Sequence, residues 1–397
     1  MDATQLPMIR VLFLSAWYPH RYDSMLGLFV KKHAEAVSRY CEVNVLYVFG
    51  DQNISKVEYV RNKLNQHFNE LIIYYPSKKG LFGRISNFFH FLICTTKGVQ
   101  AIFNEYGKPD IVHANILNRT ALPAFILKFL KQIPYVITEH WSRYLPMAGT
   151  SFRGFLRKTM VRLIVRNAST VMPVSIVLKD AMLQHKLLND DYEIVHNVVD
   201  DFFFDPSPAS EMLAGKKNIL HISCFDEQAK NISGILRATS NLCKKRDDFR
   251  LTLIGTGKDF GMIESYAKEL NFTEDTLQFA GEKSPAEVVE YFRNTDFMIL
   301  FSNFETAGIV IAESLICGKP VISTKVGSAT ELIDEDTGIL VEVGNEAQLS
   351  EAMNRLLDTL ENYDESQIKA KVTGLFDYKN VGNQIFNIYC RAIQTKK

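Results

Sequence analysis

The stretch from Asp296 to Ser323, DFMILFSNFETAGIVIAESLICGKPVIS, decides the fold. Its apolar run Phe297 to Phe301 has the length and composition of a buried strand, and Ser302 to Thr306 is the loop at its carboxyl end. Ile309 to Cys317 is a mostly apolar helix closed by Gly318, and Pro320 opens the next strand. Ligands of open parallel sheets sit beyond the carboxyl ends of the strands, so Glu305 lies where a ligand would be. The helix beginning near Gly308 turns free N–H groups toward an anion. Glu313 is the odd residue, a carboxylate flanked by Ala312, Ser314, Leu315 and Ile316. Burying it is costly unless donors meet it, and a ribose diol offers two O–H groups. The residues alone leave a second reading open, with Glu313 on the wet edge of a core helix and Glu305 as a solvated loop acid.

Outward from this unit the chain alternates strand-like and helix-like segments, without repeats or low-complexity tracts, which is α/β organisation. Strands are expected near Arg10 to Ser15, Glu42 to Val48, Asp110 to His113, Tyr135 to Thr138, Thr170 to Val174 and Glu193 to Val195. The pattern restarts near Asn218 to Ser223, Arg250 to Ile254, Leu277 to Ala280, Asp296 to Phe301 and Pro320 to Thr324, with a helix from Glu346 to Leu360. Asp200 to Lys217, with two prolines and weak periodicity, is the expected boundary. With 397 residues, 47% of them hydrophobic, the chain is long enough for two cores. Its zero net charge argues against nucleic-acid binding. Six scattered cysteines without C-x-x-C spacing, and an opening without the pattern of a secretory leader, point to a reducing cytoplasm. No apolar stretch approaches the roughly 20 residues that span a bilayer.

Glu305, Gly308 and Glu313 resemble the signature of glycosyltransferase family 4, retaining enzymes of the GT-B fold, in which two glutamates are separated by seven residues with a glycine three after the first. Gly318, Lys319, Pro320 and Val321, then Gly327 and Glu331, then Thr337, Gly338 and Leu340, resemble the family's closing series. The resemblance implies two Rossmann-like lobes facing each other across a cleft. Residues 1–205 form an acceptor-side lobe, 206–375 a donor-side lobe, and 376–397 a helix crossing back to the first. It also implies transfer of a hexose from a UDP- or GDP-sugar to a hydroxyl of a glycan or lipid-linked acceptor, with retention and without a metal. Glu313 would hold the ribose and Glu305 the sugar. Thr306, Ala307, Gly308 and Ile309 would meet the donor at the start of the helix.

Other positions carry the resemblance in part. Gly27 matches the family's first glycine loop, although an ordinary turn also explains a glycine there. His140 matches a histidine that contacts the transferred sugar; His113 ranks below it as a cleft-wall residue, and Asn197 is read as shaping the hinge. Lys230 matches a lysine presented to the diphosphate. Cys224 stands where arginine is expected, so Lys258 or Lys283 is expected to compensate. Gly255, Gly257 and Gly261 only superficially resemble a dinucleotide fingerprint, because they follow the wrong strand of their unit. Asp334, Glu335 and Asp336 read as a solvated turn rather than a metal site.

Two segments, Lys78 to Val99 and Phe152 to Arg166, interleave basic and apolar residues at helical spacing. They read as surfaces for an anionic membrane or as helices packed with their charges toward water. The expected protein is therefore a cytoplasmic or peripherally membrane-bound glycosyltransferase in polysaccharide or glycolipid synthesis. A sugar-nucleotide 2-epimerase of the same fold and a non-catalytic nucleotide-sugar-binding subunit are the alternatives.

Overall fold

The apolar runs assemble into two sheets. The structure is a computed structural model and describes residues 8–117, 120–148, 152–204 and 215–394. The first sheet contains β1 (Arg10–Ser15), β2 (Glu42–Asp51), β3 (Glu58–Asn65), β4 (Phe68–Pro76), β5 (Ile111–Asn115), β6 (Tyr135–Glu139) and β7 (Val171–Pro173), in the order β3-β4-β2-β1-β5-β6-β7. All neighbours are parallel except the edge pair β3 and β4. The second sheet contains β8 (Lys217–Ile222), β9 (Phe249–Ile254), β10 (Leu277–Gly281), β11 (Phe297–Leu300), β12 (Val321–Thr324) and β13 (Gly338–Val341). Its order is β10-β9-β8-β11-β12-β13, parallel throughout. In each sheet the chain builds outward on one side and returns to the other. The direction reverses between β1 and β5 and between β8 and β11, and crevices for ligands open at such points.

Strand β1 shows how the core divides. Leu12 and Leu14 face a layer with the helices Gly80–Tyr106, Ala121–Lys131 and Phe155–Asn167, while Val11 and Phe13 face the helices Leu28–Ser38 and Tyr378–Gln394. The last helix thus packs on the first sheet, with Val381, Ile385 and Ile388 in its core. A side chain at Gly382 would come within 2.3 Å of the Ala36 carbonyl, which is how closely the two helices cross.

Several expected boundaries shift. The hairpin β3–β4 has no counterpart among the expected strands, because Glu58–Asn65 is an edge strand exposed along nearly its whole length and lacks apolar alternation. Glu193 to Val195 is not a strand. It runs beside β7, with the N–H groups of Glu193 and Val195 donating to Val171 and Pro173, but only an isolated bridge forms, at Tyr192. The helix expected from Glu346 to Leu360 stops at Asp358. Residues 205–214 of the expected linker lie outside the described residues.

Gly27 caps the helix Leu28–Ser38 in a left-handed conformation, φ 66°. A Cβ there would meet the Trp17 carbonyl oxygen at 2.3 Å. The left-handed conformation alone costs a residue with a Cβ about 1–2 kcal/mol. Gly27→Ala is therefore expected to lower unfolding stability by more than that amount in a urea titration, and an unchanged midpoint would refute this account of the turn.

Candidate functional site

A cleft of about 260 Å³ opens at the reversal point of the second sheet, between the carboxyl ends of β8 and β11, and His140 and Phe29 of the first lobe form its opposite wall. It gathers His140, Lys230, Glu305, Thr306, Ala307, Gly308 and Ile309, residues scattered over much of the chain, together with Asn197, Ile222, Ser223, Cys224 and Val310.

The loop after β11 is fixed from several sides. Asn303 donates from its backbone to the Ala229 carbonyl at 2.7 Å and from its side chain to that of Gln228 at 3.0 Å. Ser302 donates to Glu305 Oε1 at 2.9 Å. The Ser328 N–H donates to the Ala307 carbonyl at 3.0 Å, and Gly327 permits this approach, since a Cβ on it would sit 2.9 Å from Cβ of Glu305. The first lobe reaches the same loop, because the Ser175 hydroxyl donates to the Thr306 carbonyl. Beside it, Glu331 accepts the Ile176 N–H at 2.7 Å.

Lys230 Nζ and Glu305 Oε1 form an ion pair, with both side chains largely withdrawn from water. Burial alone would push the ammonium pKa down, but the Glu305 charge and hydrogen bond more than offset it, and the pKa is raised. Lys230 is therefore a firm cation whose counter-ion is the neighbouring carboxylate. Gly308 leads into the helix Ile309–Ile316 with φ 67°, so the first N–H groups of that helix open on the same cleft.

His140 is buried, and neither ring nitrogen makes a hydrogen bond. Burial, and then the neighbouring His33 and His113, hold its pKa well below the ordinary value, with Asn197 acting in the opposite sense. At neutral pH it is an uncharged ring, with the Asn197 side chain as its polar neighbour in the cleft. His113 is different. Its Nδ1 meets the Tyr389 hydroxyl and its Nε2 the Thr138 hydroxyl, each at 2.6 Å in the core, so it is structural and not a cleft-wall residue. Asn197, read from sequence as shaping the hinge, lines the cleft with Oδ1 unpartnered.

Two expected residues lie off the wall. Gly27 sits behind Phe29, where its turn places the helix Leu28–Ser38. Glu313 is one turn beyond Ile309 and half-buried, and its carboxylate makes no hydrogen bond or ion pair among the described residues. Burial pushes its pKa up to about 7, Lys32 opposing and Asp200 assisting. Lys258 and Lys283 do not line the cleft and pair with Asp226 and Glu287, so neither stands in for the arginine absent at Cys224. Lys371 pairs with both Asp334 and Asp336, so two of the three acidic residues share one lysine in this turn.

Sequence reasoning passed over Ser302, Ser175 and Arg143. Ser175 reaches Thr306 from 131 residues away, and neither the Ser302 bond to Glu305 nor the burial of Arg143 has a sequence pattern that announces it.

Two lobes built on largely parallel sheets, joined by a returning helix and meeting at a cleft that holds Glu305, with Glu313 one turn along the adjoining helix, have the architecture of a GT-B glycosyltransferase. Residues 34–201 match the model of glycosyltransferase family 4 and residues 205–371 that of the glycosyl transferases group 1. The chain belongs to glycosyltransferase family 4. It is 25% identical to the N-acetyl-alpha-D-glucosaminyl L-malate synthase of Bacillus anthracis, covering 72% of this chain and 76% of the relative. It is 26% identical to the alpha-monoglucosyldiacylglycerol synthase of Streptococcus pneumoniae, covering 72% and 67%. The fold matches sucrose-phosphate synthase from Thermosynechococcus elongatus with a TM-score of 0.76 at 19% identity, over 98% of this chain and all of that one. It also matches Anabaena HepE in complex with UDP, with a TM-score of 0.73 at 18% identity, over 96% of this chain and all of that one.

The raised pKa of Glu313 links stability to pH. Below about pH 4.5 its carboxyl is protonated folded or unfolded, and its stabilising contribution is full. Between 4.5 and 7 the unfolded chain ionises first and that contribution is lost. Glu313→Gln, which mimics the protonated form, is expected to raise the ligand-free Tm at pH 8 and to leave it nearly unchanged at pH 5. Equal shifts at both pH values would contradict this.

Proposed function

We propose that this chain transfers a hexose from a nucleoside-diphosphate sugar to a hydroxyl of a glycan or lipid-linked acceptor, with retention and without a metal. The observation that carries the proposal is the cleft itself, in which Lys230, Glu305, the helix start at Gly308 and a neutral His140 meet from two lobes. With donor present, Lys230 exchanges Glu305 for the diphosphate, and the N–H groups following Gly308 share the charge that develops as the sugar bond breaks. Glu305, steadied by Ser302, accepts hydroxyls of the sugar, and His140 meets the sugar from the opposite lobe. The unpartnered Glu313 accepts the ribose diol. Same-face attack by the acceptor suits a site whose nearest carboxylate is already engaged by a lysine and a serine.

UDP in the related HepE structure makes UDP the first nucleotide to test. At about 100 times its dissociation constant a ligand adds roughly 2.7 kcal/mol to stability. A Tm rise with UDP or GDP, absent in Glu313→Ala, is the expected result, and no shift from any nucleoside diphosphate would refute the donor site. In turnover assays Lys230→Ala is expected to lower kcat by about 10²–10³, the usual loss on removing one stabiliser of developing negative charge.

The acceptor is proposed to reside at a membrane surface on the cytoplasmic side. Three helices on one face of the first sheet direct apolar side chains into solvent, among them Phe82 at 87%, Phe155 and Leu156 at 83% and Leu130 at 74% exposure. Of the two sequence readings for Lys78 to Val99 and Phe152 to Arg166, this arrangement favours the membrane one. Basic residues on these helices and their flanks, including Lys79, Arg84, Lys128, Arg157 and Lys158, suit an anionic bilayer. No helix among the described residues is long and apolar enough to cross a membrane. Flotation with phosphatidylglycerol liposomes at low salt is expected, with loss in a Phe82→Glu, Phe155→Glu double variant. Protein that stays at the bottom of the gradient in both cases refutes the surface.

A further inference from the structure

The first lobe holds a buried cation whose donors meet no acceptor among the described residues, although the charge of Glu139 lies near enough to act on it. Arg143 lies three residues past His140, in the turn Ser142–Tyr144, and is 3% exposed. Neither its Nε nor either Nη has a hydrogen-bond partner. The guanidinium carbon lies 2.9 Å from the centre of the Trp141 ring. The nearby carboxylate is already committed, since Glu139 accepts the Leu117 N–H on one oxygen and those of His140 and Trp141 on the other. Burial lowers the pKa of Arg143 to about 10, which leaves it charged at neutral pH. The Tyr144 hydroxyl beside it is also buried and unpartnered.

An arginine buried for structural reasons has its donors met, because an unpaired charge in the interior is strongly destabilising. A guanidinium with all donors idle is instead preorganised for an oxyanion, which its planar fork grips through two parallel hydrogen bonds. The turn also adjoins the cleft. Trp141 packs on Trp17 at 5.1 Å between ring centres, Trp17 on Phe29 at 6.4 Å, and Phe29 lines the cleft beside His140.

Resting on the glycosyltransferase reading of the cleft, we infer that Arg143 and the Tyr144 hydroxyl bind a phosphate or carboxylate of the acceptor, so that the acceptor is anionic. Its charged group anchors in the first lobe and presents a hydroxyl to the sugar held at His140.

The only two tryptophans of the chain, Trp17 and Trp141, both lie on this path, so intrinsic fluorescence reports on it. The protein, with UDP present, is titrated with glycerol 1-phosphate, with glycerol as the neutral control, and in separate arms with phosphatidylglycerol and phosphatidylcholine vesicles. A saturable change with glycerol 1-phosphate is expected if a soluble phosphate suffices, and with anionic vesicles alone if the phosphate is a lipid headgroup. Either response is expected to weaken at least tenfold in Arg143→Gln and at least threefold in Arg143→Lys, which keeps the charge and loses the fork. Should Arg143→Gln fail to fold, the lysine variant decides. No saturable change with either probe in the wild type, or an unaltered one in a folded variant, overturns the inference. A Tm shift with UDP in a protein lacking the anion response sinks this inference alone, whereas an Arg143-dependent response in a protein that ignores UDP removes its meaning as an acceptor site.

Discussion

A lysine and a glutamate held together in a nearly dry crevice set the terms for the rest of this molecule. Lys230 ends a four-residue helix after β8 and Glu305 stands in the loop after β11, 75 residues later in the chain and adjacent only because β8 and β11 pair in parallel. Removing either partner would leave the other as a buried unpaired charge, a loss of about 3–5 kcal/mol in comparable cases. The contacts of Asn303, Ser302 and Ser328, and the bare backbone of Gly327, serve one end, which is to keep the Glu305 loop within reach of Lys230. Such a pair balances its own charge while keeping a firm cation at the carboxyl end of the sheet.

The two lobes contribute unequally. The second supplies charge and backbone donors, at the helix start after Gly308 and at Lys230. At the cleft wall the first supplies neutral and aromatic surface, with His140 against Phe29 at 4.4 Å and Trp141 against Trp17, and keeps the buried cation Arg143 behind that wall. Sugar chemistry suits this division, because a nucleoside diphosphate is recognised by charge and a hexose by hydroxyl pairing on an apolar wall.

Much of the second lobe was legible in the sequence because its strands are buried on both faces and read as plain apolar runs, punctuated by Gly308, Gly318 and Pro320. Glu305, Gly308 and Lys230 could be placed at the cleft for the same reason, since strand ends and helix starts fix where a side chain emerges. The edge pair β3–β4 was not legible, because Glu58–Asn65 is polar and exposed and its pairing is set by the neighbouring Phe68–Pro76. His113 and Asn197 exchanged expectations: the first is held by Tyr389, 276 residues away, and the second faces the cleft. Neither fact has a local signature, and the idle guanidinium of Arg143 has none either.

The bonds from Ser175 to Thr306 and from Ile176 to Glu331 join the first lobe to the very loop, and to the short helix beside it, that frame Glu305. Separating the lobes must break both, so the frame around Glu305 and the latch between the lobes are one mechanical element. Access to the cleft is thereby tied to breathing of the whole molecule, because the loop that carries Glu305 cannot part from the first lobe until the latch lets go.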